Sequence, residues 1–295
     1  MAKLNLAIIG VGLIGGSFGL ALKSRMGDGV YITGLCRTQA SMDAAVARGA
    51  VDEASSDIAE VVKDADVIYL STPVLQIVPM VEKLLPFVKE GAVLTDAGST
   101  KSYLWDSIRP LLPPHVYYVS GHPMTGKEKS GVEAADKDLF LHKCYVVLEE
   151  TTAPKDVYDK VVNLIRLTGA NLTTLSTAKH DRCASLISHV PHITAAALVT
   201  LLSQNPKDDE DSLKLAGGGF KDTTRIASSN ADMWADICMT NGAAIEAHLA
   251  QMQKILGEVA DAVHRKDRTA VHDYFAAAKK RRDNILHETE KMFEI

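Results

Sequence analysis

The chain opens on an apolar run, Leu4-Asn5-Leu6-Ala7-Ile8-Ile9, that is broken by Gly10-Val11-Gly12-Leu13-Ile14-Gly15-Gly16-Ser17 and resumes as Phe18-Gly19-Leu20-Ala21-Leu22. This Gly-x-Gly-x-x-Gly pattern predicts a buried strand, a tight turn and the first turns of a helix. Each glycine answers a steric demand. Gly10 permits the turn, Gly12 removes the side chain that would block a pyrophosphate, and Gly15 lets the helix lie close to the strand. A bound anion would rest on the free N–H groups and positive dipole end of that helix, beside Leu13 and Ile14. The expectation is a dinucleotide site; the plain alternative is a glycine-rich turn.

Beyond this helix, strand and helix signals alternate. Val30 to Leu35 reads as a second strand, and its end is where such a fold meets the adenosine ribose. A site for NAD usually places Asp or Glu there. This chain has Cys36-Arg37-Thr38 instead. Arg37 can pair with a 2′-phosphate through its planar fork and Thr38 can add a hydroxyl, so NADP is expected over NAD. Short helices are expected over Ser41 to Gly49 and Asp57 to Lys63. Ala65 to Leu70 then runs as a strand into Ser71-Thr72-Pro73, at the edge where doubly wound folds keep their ligands. A helix over Ile77 to Val88 and a strand over Ala92 to Thr95 come next, and Asp96-Ala97-Gly98-Ser99-Thr100-Lys101 again delivers polar side chains to that edge.

Val116 to Val119 forms a further strand and ends in Ser120-Gly121-His122-Pro123-Met124. A histidine between Gly and Pro is held on stiff backbone, and as a general base it needs only reach and a pKa near neutrality. Strands over Tyr145 to Leu148 and Asn171 to Leu175 flank a helix over Pro154 to Leu167. Alternating strands and helices point to a parallel sheet. After Ser176 the strand signals stop. Residues 1–175 are therefore expected to form an α/β, Rossmann-like doubly wound domain, and residues 176–295 an all-α domain for substrate binding and dimerisation.

Composition narrows the partners. Hydrophobic residues make up 46% and charged residues 23% of 295, the balance of a globular protein with room for two cores. A formal net charge of -5 gives a nucleic-acid partner no electrostatic support. No uninterrupted apolar run approaches the ~20 residues of a membrane span. The first strand begins at once, leaving no room for a signal peptide, so a cytoplasmic protein is expected. Cys36, Cys144, Cys183 and Cys238 are scattered without a Cys-x-x-Cys pair, which argues against a disulfide framework and a structural zinc site.

The helical half begins with Ser188-His189-Val190-Pro191-His192. Two histidines three apart share a helix face, but no third ligand falls at a matching spacing, so no metal is expected. Pro191 should bend the segment. After an interruption near Asn205 to Glu210, Gly217-Gly218-Gly219-Phe220-Lys221-Asp222-Thr223-Thr224-Arg225 places Lys221 and Arg225 close together, where a carboxylate substrate would find them. Ile245, Leu249, Met252, Leu256, Val259 and Val263 step by four and three residues, an apolar seam of the kind that pairs helices. The seam suits a bundle contact or a subunit interface. The basic run Lys279-Lys280-Arg281-Arg282 reads as a solvated helix face.

Together the glycine turn, Asp96 to Lys101, Gly121-His122-Pro123-Met124 with Gly126 and Lys129-Ser130-Gly131, the His189 and His192 segment, and Gly218 to Ala227 with Met233-Trp234 resemble the prephenate/arogenate dehydrogenase family of tyrosine biosynthesis. The resemblance spans essentially the whole chain. It implies an NAD(P)-dependent oxidative decarboxylation in which hydride leaves the ring carbon bearing the hydroxyl, carbon dioxide departs and the ring becomes aromatic. By the same resemblance His122 accepts a hydrogen bond and the proton from the ring hydroxyl, and Ser99 bridges His122, substrate and cofactor. Arg225 would hold a substrate carboxylate, His189 and His192 would line the pocket, and the helical domain would form a homodimer. Two departures matter. Cys36 stands where many relatives carry an acid, and the chain ends soon after the seam, so any feedback by tyrosine would have to act at the active site. Rival readings are another dinucleotide-dependent β-hydroxy acid dehydrogenase and a non-catalytic NADP-binding regulator. Prephenate and arogenate are not distinguished.

Overall fold

A computed structural model describes residues 3–127, 129–205 and 209–293. Residues 206–208, inside the interruption expected near Asn205, lie outside the described residues. The chain divides into two compact units, one through Gly242 and one from Ala243 onward.

The first unit is built on β1 (Leu4–Ile9), α1 (Leu13–Met26), β2 (Val30–Leu35), α2 (Gln39–Ala47), β3 (Glu53–Ser55), α3 (Ile58–Val62), β4 (Val67–Leu70), α4 (Val74–Leu84), β5 (Val93–Asp96), α5 (Ser102–Ile108), β6 (Tyr117–Pro123), β7 (Cys144–Thr151), α6 (Lys155–Leu167) and β8 (Asn171–Leu175). They form one sheet in the order β3-β2-β1-β4-β5-β6-β7-β8. From β3 to β6 all neighbours are parallel. One apolar cluster covers each face. Ile8, Phe18, Tyr69 and Tyr145 lie in one, Ile9, Ile68, Leu94 and Tyr118 in the other. Strands buried on both faces need near-continuous apolar runs, which β1 and β4 supply.

Three local expectations are corrected. The sheet is not wholly parallel: β7 runs antiparallel to β6, with Gly121 opposite Val147 and His122 opposite Val146. No α-helix separates β6 from β7 among the described residues, so the chain doubles back instead of crossing over. β3 adds a strand that three residues without apolar alternation did not announce. The helix expected over Ile77 to Val88 is α4, which starts at Val74 and gives way after Leu84 to a 3₁₀ turn carrying Pro86.

The same unit continues through α7 (Thr177–Ala184), a π-helical turn over Ser185–His189, α8 (Val190–Ser203), α9 (Asp209–Leu215), α10 (Gly218–Thr224), a 3₁₀ turn over Arg225–Ser228 and α11 (Ala231–Thr240). The π turn explains how Pro191 is tolerated. Val190 N–H reaches back five residues to Ser185 O, and the widened turn relieves the ring that would otherwise press on the preceding carbonyl. The second unit consists of α12 (Gly242–His264), apart from its first residue, and α13 (Arg268–Phe293). The apolar seam lies along α12, where Leu256 is 55% and Val263 59% exposed.

Candidate active site

The strand order reverses between β1 and β4, and the turns leaving these two strands lie side by side. Gly10 has φ +92°, a left-handed conformation that favours glycine, and a Cβ there would lie 2.9 Å from Thr72 Cγ2. A Cβ on Gly15 would lie 2.4 Å from Ser71 Oγ and 2.5 Å from Gly10 O. Ser71 latches the two turns, its hydroxyl donating to Gly10 O at 2.9 Å and its N–H to Ile9 O at 2.9 Å. Gly12, at the start of α1, has nothing within 4 Å of the place a Cβ would take. The hydroxyl of Thr72 is buried without a partner among the described residues, and Pro73 leads into α4. An open glycine backbone, an uncapped helix N-terminus and an orphaned hydroxyl at a switch point fit a dinucleotide pyrophosphate. Leu13 and Ile14 are half-buried against the core under α1.

Arg37 and Thr38 leave β2 on the exposed surface. Thr38 caps α2: its Oγ1 accepts from Ser41 N–H at 3.2 Å while its own N–H donates to Ser41 Oγ at 3.2 Å. The Thr38 hydroxyl thus has a structural task already, and Arg37 stands beside a helix N-terminus. Cys36 is buried, and burial pushes its thiol pKa up.

His122 lies within β6 rather than in the loop after it, and Pro123 ends the strand. Gly121 is required there, because a Cβ would lie 2.8 Å from Tyr145 Cε1 and 3.1 Å from Val146 O. His122 Nδ1 is 2.8 Å from His180 Nε2, and His180 Nδ1 is 2.9 Å from Asp181 Oδ1. Asp181 in turn accepts the N–H groups of Lys101 and Ser102 at 2.8 Å each, joining α7 to the start of α5. Burial holds the His122 pKa well below 6.5, and His180, Lys101 and His189 push it the same way. Burial also lowers the pKa of His180 against the opposing pull of Asp181. Burial would raise the Asp181 pKa, but its hydrogen bonds more than offset that and keep it below 3.8.

Asp96 and Lys101 do not face the ligand edge as their motif suggested. They form a fully buried ion pair. Asp96 also accepts from Ser120 Oγ at 2.6 Å, Tyr118 Oη at 2.8 Å and Gly98 N–H at 2.8 Å, while Lys101 Nζ donates to Gly121 O at 2.7 Å and Ser120 Oγ at 3.1 Å. Every charge in the pair is thereby answered, as burial demands. The pair ties the turn after β5 to the strand that carries His122. Ser99 sits half-buried on that turn, and its neighbour Thr100 donates to Thr240 Oγ1 at 2.9 Å.

His189 and His192 share Trp234 on α11. His192 stacks on it at 3.9 Å between centroids, and His189 meets it edge-on at 6.0 Å. Asn241 Nδ2 donates to Asp181 O at 2.8 Å and lies 3.2 Å from His189 Nδ1, so a neutral His189 carries its proton on Nε2. His192 has the other tautomer, with Nδ1 donating to Ser188 O at 2.8 Å. Burial lowers the His189 pKa to about 4. It lowers that of His192 too, with Ser188 O opposing and the charge of Arg225 adding to the effect. Arg225 is exposed on the 3₁₀ turn packed against α8. Lys221 is exposed on α10, and among the described residues no hydrogen bond or ion pair joins it to His122, His189 or His192. His180, Asp181 and Asn241 were not singled out by the sequence; their only signal is chemistry that depends on distant packing.

The chain is similar to proteins of known family over nearly its whole length. The family description "Prephenate dehydrogenase, nucleotide-binding domain" matches residues 18–174, and "Prephenate dehydrogenase, dimerization domain" matches residues 176–277. The prephenate dehydrogenase of Bacillus subtilis (strain 168) is 34% identical over 284 residues, covering 96% of this chain and 76% of that protein. A crystal structure of prephenate dehydrogenase from A. aeolicus, in complex with hydroxyphenyl propionate and NAD+, superposes with a TM-score of 0.89 at 32% identity and covers 97% of this chain and 99% of that one. Synechocystis arogenate dehydrogenase gives a TM-score of 0.81 at 27% identity, covering 96% and 100%. The chain binds a nicotinamide dinucleotide and belongs to the prephenate dehydrogenase family.

Proposed function

We propose that His122 is the proton acceptor in an oxidative decarboxylation of prephenate or arogenate, with the substrate ring between it and the dinucleotide edge of the sheet. The observation that carries this reading is the hydrogen bond at His122 Nδ1, which leaves Nε2 for the substrate. The nicotinamide supplies the hydride acceptor. His122 takes the hydroxyl proton as hydride departs and returns it to the ring oxygen once the ring is aromatic. The uptake requires a neutral imidazole at rest, which burial beside Lys101 maintains, and the imidazolium it forms is the donor for the return. Ser99 bridges substrate and cofactor from its anchored turn. Arg225 binds a substrate carboxylate, Lys221 adds positive charge near it, and His189 and His192, braced by Trp234, line the side-chain end.

Arg37 favours NADP over NAD by pairing with the 2′-phosphate beside the N-terminus of α2. We also assign residues 1–175 to cofactor binding and residues 176–295 to substrate binding and dimerisation. The stretch Thr177–Ser203 is long and apolar enough to cross a membrane by length and composition. It carries His180, Asp181 and His189 in buried hydrogen bonds, however, while Leu186, Ile187 and Leu201 are exposed. Leu186, Ile187 and Leu201, and Leu256 and Val263 on α12, belong to the apolar surface of a cytoplasmic homodimer. Sedimentation tests the dimer. Offering prephenate and arogenate, each with NAD+ and NADP+, and following reduced nicotinamide tests the activity.

A further inference from the structure

We propose that His180 and Asp181 are positioning residues for the reaction, fixing His122 in the tautomer whose bare Nε2 receives the substrate proton. The proposal rests on the reading of His122 as proton acceptor.

Asp181 sets the direction of the chain of hydrogen bonds. Its carboxylate receives three N–H groups, from Lys101 and Ser102 of the chain around the start of α5 and from His180. An acceptor surrounded by donors has no proton of its own to offer. The proton in the His180–Asp181 hydrogen bond therefore belongs to His180 Nδ1. A neutral His180 then has a lone pair at Nε2, and the 2.8 Å contact to His122 is satisfied only if His122 Nδ1 donates. His122 Nε2 is left as the acceptor. The order of protons along three side chains is dictated by two backbone amides.

The surroundings keep His122 neutral until the substrate proton arrives. The charged and titratable groups bearing on His122 are His180 from α7, Lys101 from the start of α5 and His189 from the π turn, with Asp181 acting on His180. Lys101 is paired directly with Asp96, and Asp181 acts on it as a further negative charge. When His122 takes up the substrate proton, the cation forms two hydrogen bonds away from the Asp181 carboxylate, and that carboxylate stabilises it. The arrangement resembles a base oriented by a third group, where the orienting group sets tautomer and geometry without itself gaining a proton.

The test pairs spectroscopy with kinetics. In the unaltered protein labelled with ¹⁵N-histidine at pH 8, with resonances assigned by His122→Gln, His122 should be protonated at Nδ1 and bare at Nε2. The opposite tautomer overturns the proposal whether or not any variant folds. In kinetics, His180→Leu should lower kcat about 10- to 100-fold with KM for substrate and cofactor within about 3-fold. His180→Gln, whose carbonyl can accept from His122 Nδ1, should recover a large part of that loss. Unchanged kcat in His180→Leu, or equal losses in both variants with raised KM, overturns the positioning role. If the unaltered protein turns over neither substrate with either cofactor, the assigned reaction fails, and the ¹⁵N spectrum still decides the tautomer.

Discussion

The ring of His192 lies 3.9 Å from that of Trp234, centroid to centroid and tilted by 29°, while His189 meets the same indole edge-on. One aromatic side chain therefore sets the attitude of two histidines on neighbouring helical turns. Such ring contacts are worth about 0.5–1.5 kcal/mol beyond the area they bury. Trp234→Ala should raise KM for substrate about 3- to 10-fold and leave the cofactor KM unchanged, as read by steady-state kinetics. An unaltered substrate KM would remove Trp234 and its two histidines from the pocket.

The two glycines of the opening turn should separate under substitution. Gly15→Ala places a Cβ 2.4 Å from Ser71 Oγ and 2.5 Å from backbone, so the turn itself must shift and Tm should fall. Gly12→Ala meets nothing within 4 Å. Its Tm without cofactor should stay near that of the unaltered chain, while dinucleotide affinity drops at least about 10-fold because the new methyl occupies the pyrophosphate's approach. Thermal melts with and without cofactor check both. Normal cofactor stabilisation of Gly12→Ala would contradict the placement of the pyrophosphate.

Lys101→Met should destabilise the protein by about 3–5 kcal/mol in urea unfolding, because it strands the carboxylate of Asp96 in the core. Adding Asp96→Asn should recover part of that loss, since the strand-and-turn junction then holds no unpaired charge. A double variant no better than the single one would show that the pair acts through more than charge.

Stability should depend on pH through the buried histidines. The folded-state pKa of His189 is about 4, and those of His122, His180 and His192 are also lowered by burial from 6.5. The unfolded chain takes up these protons first as pH falls. The stabilisation is complete above about 6.5 and is lost progressively as pH drops toward 4. Asp52, Asp66 and Asp181, held below 3.8, add their own loss only at still lower pH. Melting curves should be flat from pH 8 to 6.5 and fall steadily to pH 4. A constant Tm over that lower interval would contradict the buried neutral histidines.

Arg37→Ala should raise KM for NADP+ about 10-fold and leave NAD+ nearly unaffected, because only the 2′-phosphate meets the guanidinium. A preference for NAD+ in the unaltered protein would contradict this assignment.

The sequence disclosed whatever was encoded in neighbouring residues. The strand, turn and helix at Leu4 to Leu22 were legible because glycine alone relieves the contacts found at Gly10 and Gly15. His122 stood out between Gly and Pro for the same local reason, although β6 extends through it. β3 escaped notice because Glu53-Ala54-Ser55 has no apolar pattern and pairs only through backbone. The buried pair Asp96–Lys101 looked like ligand-facing polarity, since a motif does not show which way its side chains turn. His180 and Asp181 were silent because their meaning arises only when α7 docks on the start of α5, some 80 positions earlier in the chain.

Whether His122 takes the substrate proton is decided by the turnover of His122→Asn. With prephenate or arogenate and saturating cofactor, kcat should fall at least about 100-fold while both KM values stay close to those of the unaltered protein. Near-normal turnover in a folded His122→Asn protein would contradict that role.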